Sequence, residues 1–280
     1  MKSVNGVTPD ENGNVEITIP DTGGNIGYPN WSHLKWYVMG DSLTAQDNNF
    51  TSKHYYDFVQ EKTGIQLIVD GIGGTGYKNG EDRGESFLDR IKNLPEDVDI
   101  VSIFGSGNDL SSANLQYADK AIWDTLKWLM ENRPGLPVIV VPPSLWKKTD
   151  THDYTKWETL WKTYCDRLQL CAFKLNHRYL SDMYDCPPFY PDFEKHMEKF
   201  FTTDPNGVHP NEAGHEALAT YFYNALAQEL EFDAGSGISG SGGNVELDAI
   251  YDLAESGYID PIIDTDNSVF IDETGNIYIY

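Results

Sequence analysis

The chain has 280 residues, of which 40% are hydrophobic, and it carries a formal net charge of −24. This length and apolar content are enough for one large domain with smaller appendages. The strong negative charge argues against a nucleic-acid or anionic-membrane partner, because phosphate groups would be repelled.

The sequence shows no targeting signal and no pattern of structural cysteines. Its first residues lack the apolar stretch of a signal peptide, and no apolar run of about 18 residues predicts a membrane span, so we expect synthesis in the cytoplasm. The three cysteines, Cys165, Cys171 and Cys186, are too sparse for a disulfide framework and lack the CxxC spacing of a zinc site. They are predicted to be small core residues.

The N-terminal segment, residues 1–28, is polar and rich in turns. Within it, residues 10–19 predict a turn followed by an alternating strand, with Asn12-Gly13 as the hairpin signal. A single hairpin of this size is marginally stable in water, so we expect it to need another surface.

The middle of the chain, residues 29–233, alternates short apolar runs with helical patterns. The predicted strands cover 36–39, 66–69, 99–104, 138–141 and 179–184. The predicted helices cover 55–63, 86–91, 118–132, 154–176 and 210–231. Strands that alternate with helices predict an α/β three-layer sandwich around a central parallel sheet of about five strands.

A glycine- and serine-rich stretch at 234–244 is predicted to be a flexible linker. In the remaining segment, 245–280, we expect a short helix over 245–256 and a hairpin at the end. Residues 272–276 repeat the Asp-Glu-x-Gly-Asn pattern of residues 10–14. One copy of the same small hairpin is therefore predicted at each end of the chain.

Four polar clusters follow predicted strands or precede the last helix of the middle region. They are Gly40–Leu43, Gly73–Gly74, Gly105–Asp109 and Asn206–Pro210. Because parallel strands bring their carboxyl ends to one edge, we expect the clusters to converge there. Together they supply a hydroxyl, backbone N–H groups, an amide and an imidazole, which are the parts of an acyl-transfer site.

Over residues 29–233 these clusters resemble the blocks of the SGNH hydrolases, also called the GDSL esterase/lipase family, whose fold is flavodoxin-like. The resemblance implies that Ser42 is the nucleophile and His209 the general base. It also implies an oxyanion hole formed by the N–H groups of Ser42 and Gly74 and the side chain of Asn108. Gly73 is a neighbouring competitor for the place of Gly74. No metal or organic cofactor is implied.

Two positions depart from the family pattern. Ser106 stands where the third block usually has glycine, and Asn206 stands where the last block usually has aspartate, three residues before the histidine. A carboxylate would orient the imidazole and stabilise its charged form, whereas an amide supplies no charge. Three alternatives remain: Asp204 reaches His209, Asn206 replaces the acid, or a Ser–His dyad operates. We favour Asp204.

Other residues have competing interpretations. Asp41 and Trp146 are candidates for substrate binding, although Asp41 and Asp109 could simply brace loops, and neither is expected to be catalytic. The aromatic residues from Trp146 to Tyr164 could stack on a sugar ring or belong to the core. Residues 71–76 fit the pattern GxGxxG. The motif follows the second predicted strand rather than the first, which argues against a dinucleotide site.

These observations favour a serine esterase that hydrolyses O-acyl esters of a carbohydrate. We expect the acyl group to be acetyl. The alternative is a catalytically silent virion module, structural or receptor-binding, with the same fold. Residues 4–10 and the terminal hairpins resemble segments of phage or prophage tail and fibre proteins. That resemblance implies a bacterial surface polysaccharide as substrate.

The terminal segments are predicted to mediate self-association or attachment to a larger assembly, because each hairpin is too small to bury its own apolar face. A symmetric trimer would suit a tail-fibre setting. Trimming the chain to 29–233 should abolish association and keep the esterase rate, as measured by solution mass and ester turnover. A full-length chain that is already monomeric, or a trimmed chain that unfolds, would contradict this prediction.

Overall fold

A computed structural model describes residues 28–47, 49–110, 112–145, 154–189, 193–204, 207–235, 269–271 and 277–279. The predicted N-terminal hairpin lies outside these residues, as do most of the predicted linker and the predicted helix over 245–256. The predicted site residues Trp146 and Asn206 also lie outside them.

The described domain is built around a five-stranded sheet in which every pairing is parallel. Its strands are β1 (Lys35–Gly40), β2 (Gln66–Gly71), β3 (Ile100–Phe104), β4 (Val138–Val141) and β5 (Arg178–Tyr179). The strand order is β2-β1-β3-β4-β5. Strands β3 and β4 are buried along their whole length, which explains why they appear in the sequence as continuous apolar runs. The predicted fold class is therefore confirmed.

Six helices of the described chain alternate with these strands or follow them. They are α1 (Tyr55–Thr63), α2 (Phe87–Ile91), α3 (Ser112–Asn132), α4 (Tyr154–Lys174), α5 (Phe193–Phe200) and α6 (Glu212–Gly235). Short 3₁₀ turns cover Glu81–Arg83, Gly107–Leu110 and Ser181–Asp185. No helix among the described residues combines the length and apolarity needed to cross a bilayer.

Several boundaries differ from the sequence predictions. Helix α3 begins at Ser112, six residues before the predicted start. The predicted strand over 179–184 is wrong beyond Tyr179, because the edge strand ends there and a 3₁₀ turn follows. Helix α5 was not predicted, since its eight residues contain only three apolar positions. Helix α6 continues to Gly235, two residues into the predicted linker.

An aromatic cluster fastens α1 and α6 to the sheet. The Tyr55 ring stacks on Phe222 with 4.2 Å between centroids, and both rings contact Phe104 of β3. On β1, the indole N–H of Trp36 donates to the Ser102 hydroxyl at 2.9 Å. All these side chains are fully buried, so the sheet and two helices share one core.

The aromatic stretch of α4 belongs to that core as well. Trp157, Trp161 and Tyr164 are all less than 5% exposed, so they cannot stack on a sugar at the surface. The core interpretation of these residues is therefore correct and the sugar-stacking interpretation is wrong for them. The three cysteines are buried and free, as predicted.

Near the carboxyl ends of β1 and β2, one buried guanidinium holds the chain together. Arg90 of α2 donates to the backbone oxygens of Gly40 and Asp70, to the Asp70 carboxylate and to the Thr75 hydroxyl, at 2.5–3.2 Å. Buried charges are tolerated when they are paired and hydrogen-bonded in this way. Arg90 thus fixes the two strand ends from which polar loops emerge.

The strand order reverses direction at β1. The chain passes from β1 to β2 on one side and then crosses to β3 on the other side of β1. Ligands of open α/β sheets bind outside the carboxyl ends of the strands at such a switch point. The loops after β1, β2 and β3 are therefore the first place to look for a site.

Outside the domain, the structure describes one further pair of strands. Strand β6 (Val269–Ile271) pairs antiparallel with β7 (Ile277–Ile279). This confirms the strand pairing predicted for the C-terminal hairpin.

Candidate active site

A sharp turn directly after β1 presents Ser42. The backbone oxygen of Asp41 accepts the N–H groups of Thr44 and Ala45 at 3.1 and 3.0 Å, which closes the turn. Gly40 is required there, because a Cβ atom would lie 2.1 Å from the Thr44 hydroxyl and 2.4 Å from the Phe104 backbone oxygen. Ser42 itself remains partly exposed at the edge of the sheet.

Ser42 is in hydrogen-bond contact with His209, which lies 167 residues later in the chain. The Ser42 Oγ and His209 Nε2 atoms are 2.9 Å apart. On the other side of the ring, His209 Nδ1 lies 3.1 Å from Asp204 Oδ2. The Ser42 hydroxyl thus contacts the imidazole, and the imidazole contacts a carboxylate, which is the order of contacts that an activated serine nucleophile needs.

The Asp204 carboxylate is buried and held in place by its own loop. Its Oδ2 atom accepts the N–H groups of Val208 at 3.1 Å and His209 at 2.9 Å, and only 2% of the residue is exposed. The turn closes where the Gly207 N–H donates to the Asp204 backbone oxygen at 3.0 Å, with Gly207 at φ 66°. Asp204 therefore reaches the imidazole from five residues away, as the favoured sequence alternative requires.

Two glycines follow β2 beside the serine. A Cβ atom on Gly73 would lie 3.7 Å from the Ser42 Cβ, and Gly74 has a left-handed φ of 73° with open space around it. Among the described residues, no acceptor takes the N–H of either glycine. Both N–H groups are therefore available to a ligand next to Ser42, and Gly73 and Gly74 both remain candidates.

Asn108 lies between the loop of Ser42 and the loop of the two glycines. Its Nδ2 atom donates to the Thr75 backbone oxygen at 2.9 Å and lies 3.4 Å from Asp41 Oδ2. The preceding Ser106 is fully buried at φ 74°, a left-handed conformation that favours glycine. The serine found in place of the family's glycine therefore keeps a glycine-like backbone at this point.

The buried Asp41 carboxylate joins the serine turn to the loop after β3. Asp41 is 4% exposed, its Oδ1 accepts the Leu43 N–H at 3.0 Å, and its Oδ2 accepts the Ser106 N–H at 3.0 Å. Burial raises the pKa of Asp41 to about 6, and the two backbone donors work against that rise. The structure thus shows Asp41 holding two loops together, and its substrate-binding role stays a prediction.

Asp109 braces the next loop in the same manner. Its carboxylate accepts the Asn79 N–H at 2.7 Å and the Tyr164 hydroxyl at 3.0 Å. Burial raises the pKa of Asp109 to about 6. Gly76 has to be glycine, since a Cβ atom would lie 2.6 Å from this carboxylate. Asp109 therefore holds a loop, as one of the two sequence interpretations proposed.

An open cleft of about 290 Å³ borders the serine turn. It is lined by Gln46, Asp47, Val69, Gly71, Ile72 and Gly73. Within the described ranges, no group of three or more His, Cys, Asp and Glu side chains is arranged to hold a metal ion.

The sequence did not predict the roles of Arg90 and Thr75, which support the glycine loop. Arg90 reaches that loop and Gly40 from 15 and 50 residues away, and no local pattern links residues so far apart.

Residues 38–217 match the family model described as the GDSL-like lipase/acylhydrolase family. No protein among the curated sequences matches the chain.

Solved structures share the fold at low sequence identity. A Lactobacillus plantarum protein has 17% identity and a TM-score of 0.53, covering 73% of this chain and 99% of that chain. A Desulfitobacterium hafniense protein, named as lipolytic and of the G-D-S-L family, has 16% identity and a TM-score of 0.52, covering 69% of this chain and 99% of that chain. At these identities the likeness shows the fold alone.

The bracing role of Asp41 predicts a specific defect. In Asp41→Asn one oxygen becomes an NH₂ group that faces a backbone N–H, so a buried donor loses its acceptor. We expect a loss of about 1–3 kcal/mol in the free energy of unfolding, together with reduced ester turnover. Chemical denaturation and initial rates measure the two effects.

Asp82→Asn is the matched control, since Asp82 is an exposed aspartate that does not line the cleft. It should leave stability and turnover close to wild type. Equal behaviour of the two variants would show that the Asp41 carboxylate does not brace the site.

Proposed function

Because the chain belongs to the GDSL-like lipase/acylhydrolase family, we propose that it hydrolyses O-acyl esters of carbohydrates, with acetyl as the acyl group. As a member of that family, the chain is an SGNH-type ester hydrolase. The observation that carries the catalytic assignment is the contact of His209 with Ser42 at 2.9 Å on one ring nitrogen and with Asp204 at 3.1 Å on the other.

The first half-reaction transfers the acyl group to Ser42. The Ser42 oxygen attacks the ester carbon while His209 Nε2 accepts the hydroxyl proton. When the tetrahedral intermediate collapses, the carbon–oxygen bond to the alcohol breaks and the imidazolium returns the proton to the leaving alcohol. Asp204, hydrogen-bonded to Nδ1, orients the ring and stabilises its charged form throughout.

In the second half-reaction a water molecule takes the place of the alcohol. His209 removes a proton from the water as it attacks the acyl-enzyme, and the same proton then returns to the Ser42 oxygen. The products are the carboxylic acid and free Ser42, so atoms and protons balance.

The oxyanion of each intermediate would be bound by the N–H of Ser42, the N–H of Gly74 and the side chain of Asn108. The N–H of Gly74, which has no acceptor among the described residues, and the position of Asn108 next to Thr75 support this assignment. The Asn108 amide carries two hydrogens: one binds the Thr75 oxygen at 2.9 Å, and the other, which makes only a long contact of 3.4 Å to Asp41 Oδ2, would turn to the oxyanion. Removing one such donor typically costs about 10²–10³ in rate.

Three features support a small acyl group on a neutral carbohydrate. The open cleft of about 290 Å³ that borders the serine turn has room for a small acyl group. The net charge of −24 disfavours a polyanionic substrate. The tail-fibre resemblance of the terminal segments supports a bacterial surface polysaccharide, and it also supports attachment of the chain to a larger assembly through those segments.

The alternative of a catalytically silent binding module depended on the altered last block. The loss of aspartate at position 206 no longer favours it, because Asp204 provides a carboxylate to the imidazole. We therefore propose the esterase function and not the silent binding module.

Release of acetate tests the proposed function. The folded protein should release acetate from p-nitrophenyl acetate and from O-acetylated neutral polysaccharides, and Ser42→Ala should reduce both rates by about 10⁶. Ser32→Ala, at an exposed serine in the same domain, should have no effect. A folded wild type without turnover on either substrate would overturn the esterase assignment.

The third member of the triad can be tested separately. Asp204→Ala should lower kcat by about 10³–10⁴ because the imidazole loses its orienting carboxylate, whereas Asn206→Ala should change kcat little. Circular dichroism checks that both variants fold. Small, equal losses would indicate a Ser–His dyad, and a large loss confined to Asn206→Ala would assign the role to the amide.

A further inference from the structure

One aromatic ring lies flat against the imidazole of His209. The ring centroids of Phe50 and His209 are 4.4 Å apart, and the two planes differ by only 2°. Both nitrogens of His209 are already occupied at the ring edge by Ser42 and Asp204. Phe50 covers one face of the imidazole. The two contacts at the ring edge do not constrain that face.

The segment that carries Phe50 is fastened to the loop that carries His209. The Thr203 hydroxyl donates to the Phe50 backbone oxygen at 2.8 Å. Two residues later, the Ser52 hydroxyl donates to the Glu212 carboxylate at 2.5 Å. These contacts join positions more than 150 residues apart, on either side of His209. The stacked ring is thus held in register with the imidazole.

A third contact extends the same junction inward. The Tyr55 N–H donates to His215 Nδ1 at 3.3 Å, and the rings of His54 and His215 lie 5.1 Å apart. Helix α1 and helix α6 are therefore joined behind Phe50. The Phe50 side chain itself is half-buried, so its role is not that of a central core residue.

We propose that Phe50 is a positioning residue for the general base, a role that rests on the proposed function of His209. Its ring keeps the imidazole in the plane that joins Ser42 to Asp204. Its negative π-face also stabilises the imidazolium that forms when the ring accepts the Ser42 proton. Phe50 itself touches neither substrate nor the reacting atoms.

Other titratable groups surround the imidazole and are the same in every variant discussed below. Asp204 contributes a negative charge from the loop of His209. His215 approaches from α6, with His54 behind it at the start of α1. Burial lowers the pKa of His215 to about 3, so this side chain is neutral at working pH and does not compete for charge. Differences between Phe50 variants therefore report the ring at position 50.

The test compares Phe50→Leu, which keeps an apolar side chain, with Phe50→Tyr, which also keeps the aromatic face. For Phe50→Leu we expect kcat to fall about three- to tenfold and the acid limb of the kcat/KM profile to move about half a pH unit lower. The direction follows because a base whose protonated form is less stabilised loses its proton at lower pH. KM should stay within about twofold, since Phe50 does not contact substrate.

Phe50→Tyr should restore both kcat and the position of the acid limb. Phe173→Leu is the matched control, because Phe173 is 56% exposed on α4. The proposal is overturned if Phe50→Leu keeps the wild-type kcat and pH profile, if Phe50→Tyr is as impaired as Phe50→Leu, or if the loss appears in KM alone.

An NMR titration of the His209 ring separates this proposal from the proposed function, because it needs no turnover. The His209 signal is identified by its loss in His209→Gln. If the midpoint of this titration falls in Phe50→Leu and returns in Phe50→Tyr, the stacking role stands even for a protein that fails the esterase test. An unchanged midpoint in Phe50→Leu overturns the charge-stabilising role even in an active esterase.

Discussion

The site depends on one buried carboxylate. Asp41 accepts the N–H of Leu43 from its own turn and the N–H of Ser106 from the loop after β3, and it lies within 3.4 Å of the Asn108 amide. The turn that presents Ser42 and the loop that carries Asn108 are thus held by the same carboxylate. Since burial raises the pKa of Asp41 from 3.8 to about 6, its contribution to stability falls as the pH rises through that interval. The backbone donors limit that loss.

The architecture of the sheet makes such a bridge possible. Strands β1 and β3 are hydrogen-bonded neighbours, with Gly40 paired to Phe104 at their carboxyl ends. The loops that leave these two strands therefore start side by side. Arg90 likewise joins the ends of β1 and β2, because it donates to the backbone oxygens of Gly40 and Asp70 and to the Thr75 hydroxyl. A cation and an anion on opposite sides of β1 thus hold three loops at fixed separations.

Local patterns predicted the parts of this molecule better than their connections. The apolar run Val138–Val141 is a strand over the same four residues. The four polar clusters do converge, since residues of the other three all lie against the serine turn. The choice between Asp204 and Asn206 stayed open because it depends on how a turn places a carboxylate, which spacing does not determine. The stacking of Phe50 on His209 was not predicted, since it joins residues far apart in the chain. Helix α5 was missed although Phe193, Met197 and Phe200 follow the i, i+4, i+7 spacing of an amphipathic helix, because eight residues offer only three apolar positions.

The glycines around the serine have a consequence for anyone who wishes to redesign the enzyme. At Gly40, Gly76 and Gly105, a single added methyl group would come within 2.6 Å of a hydroxyl, a carboxylate or a backbone atom. These loops therefore have no steric room in which to diverge, and libraries aimed at them would return mostly misfolded clones. In the cleft wall, by contrast, Gln46 and Asp47 carry exposed side chains. Changes in substrate range are best sought there, where selection can vary side chains without moving the backbone.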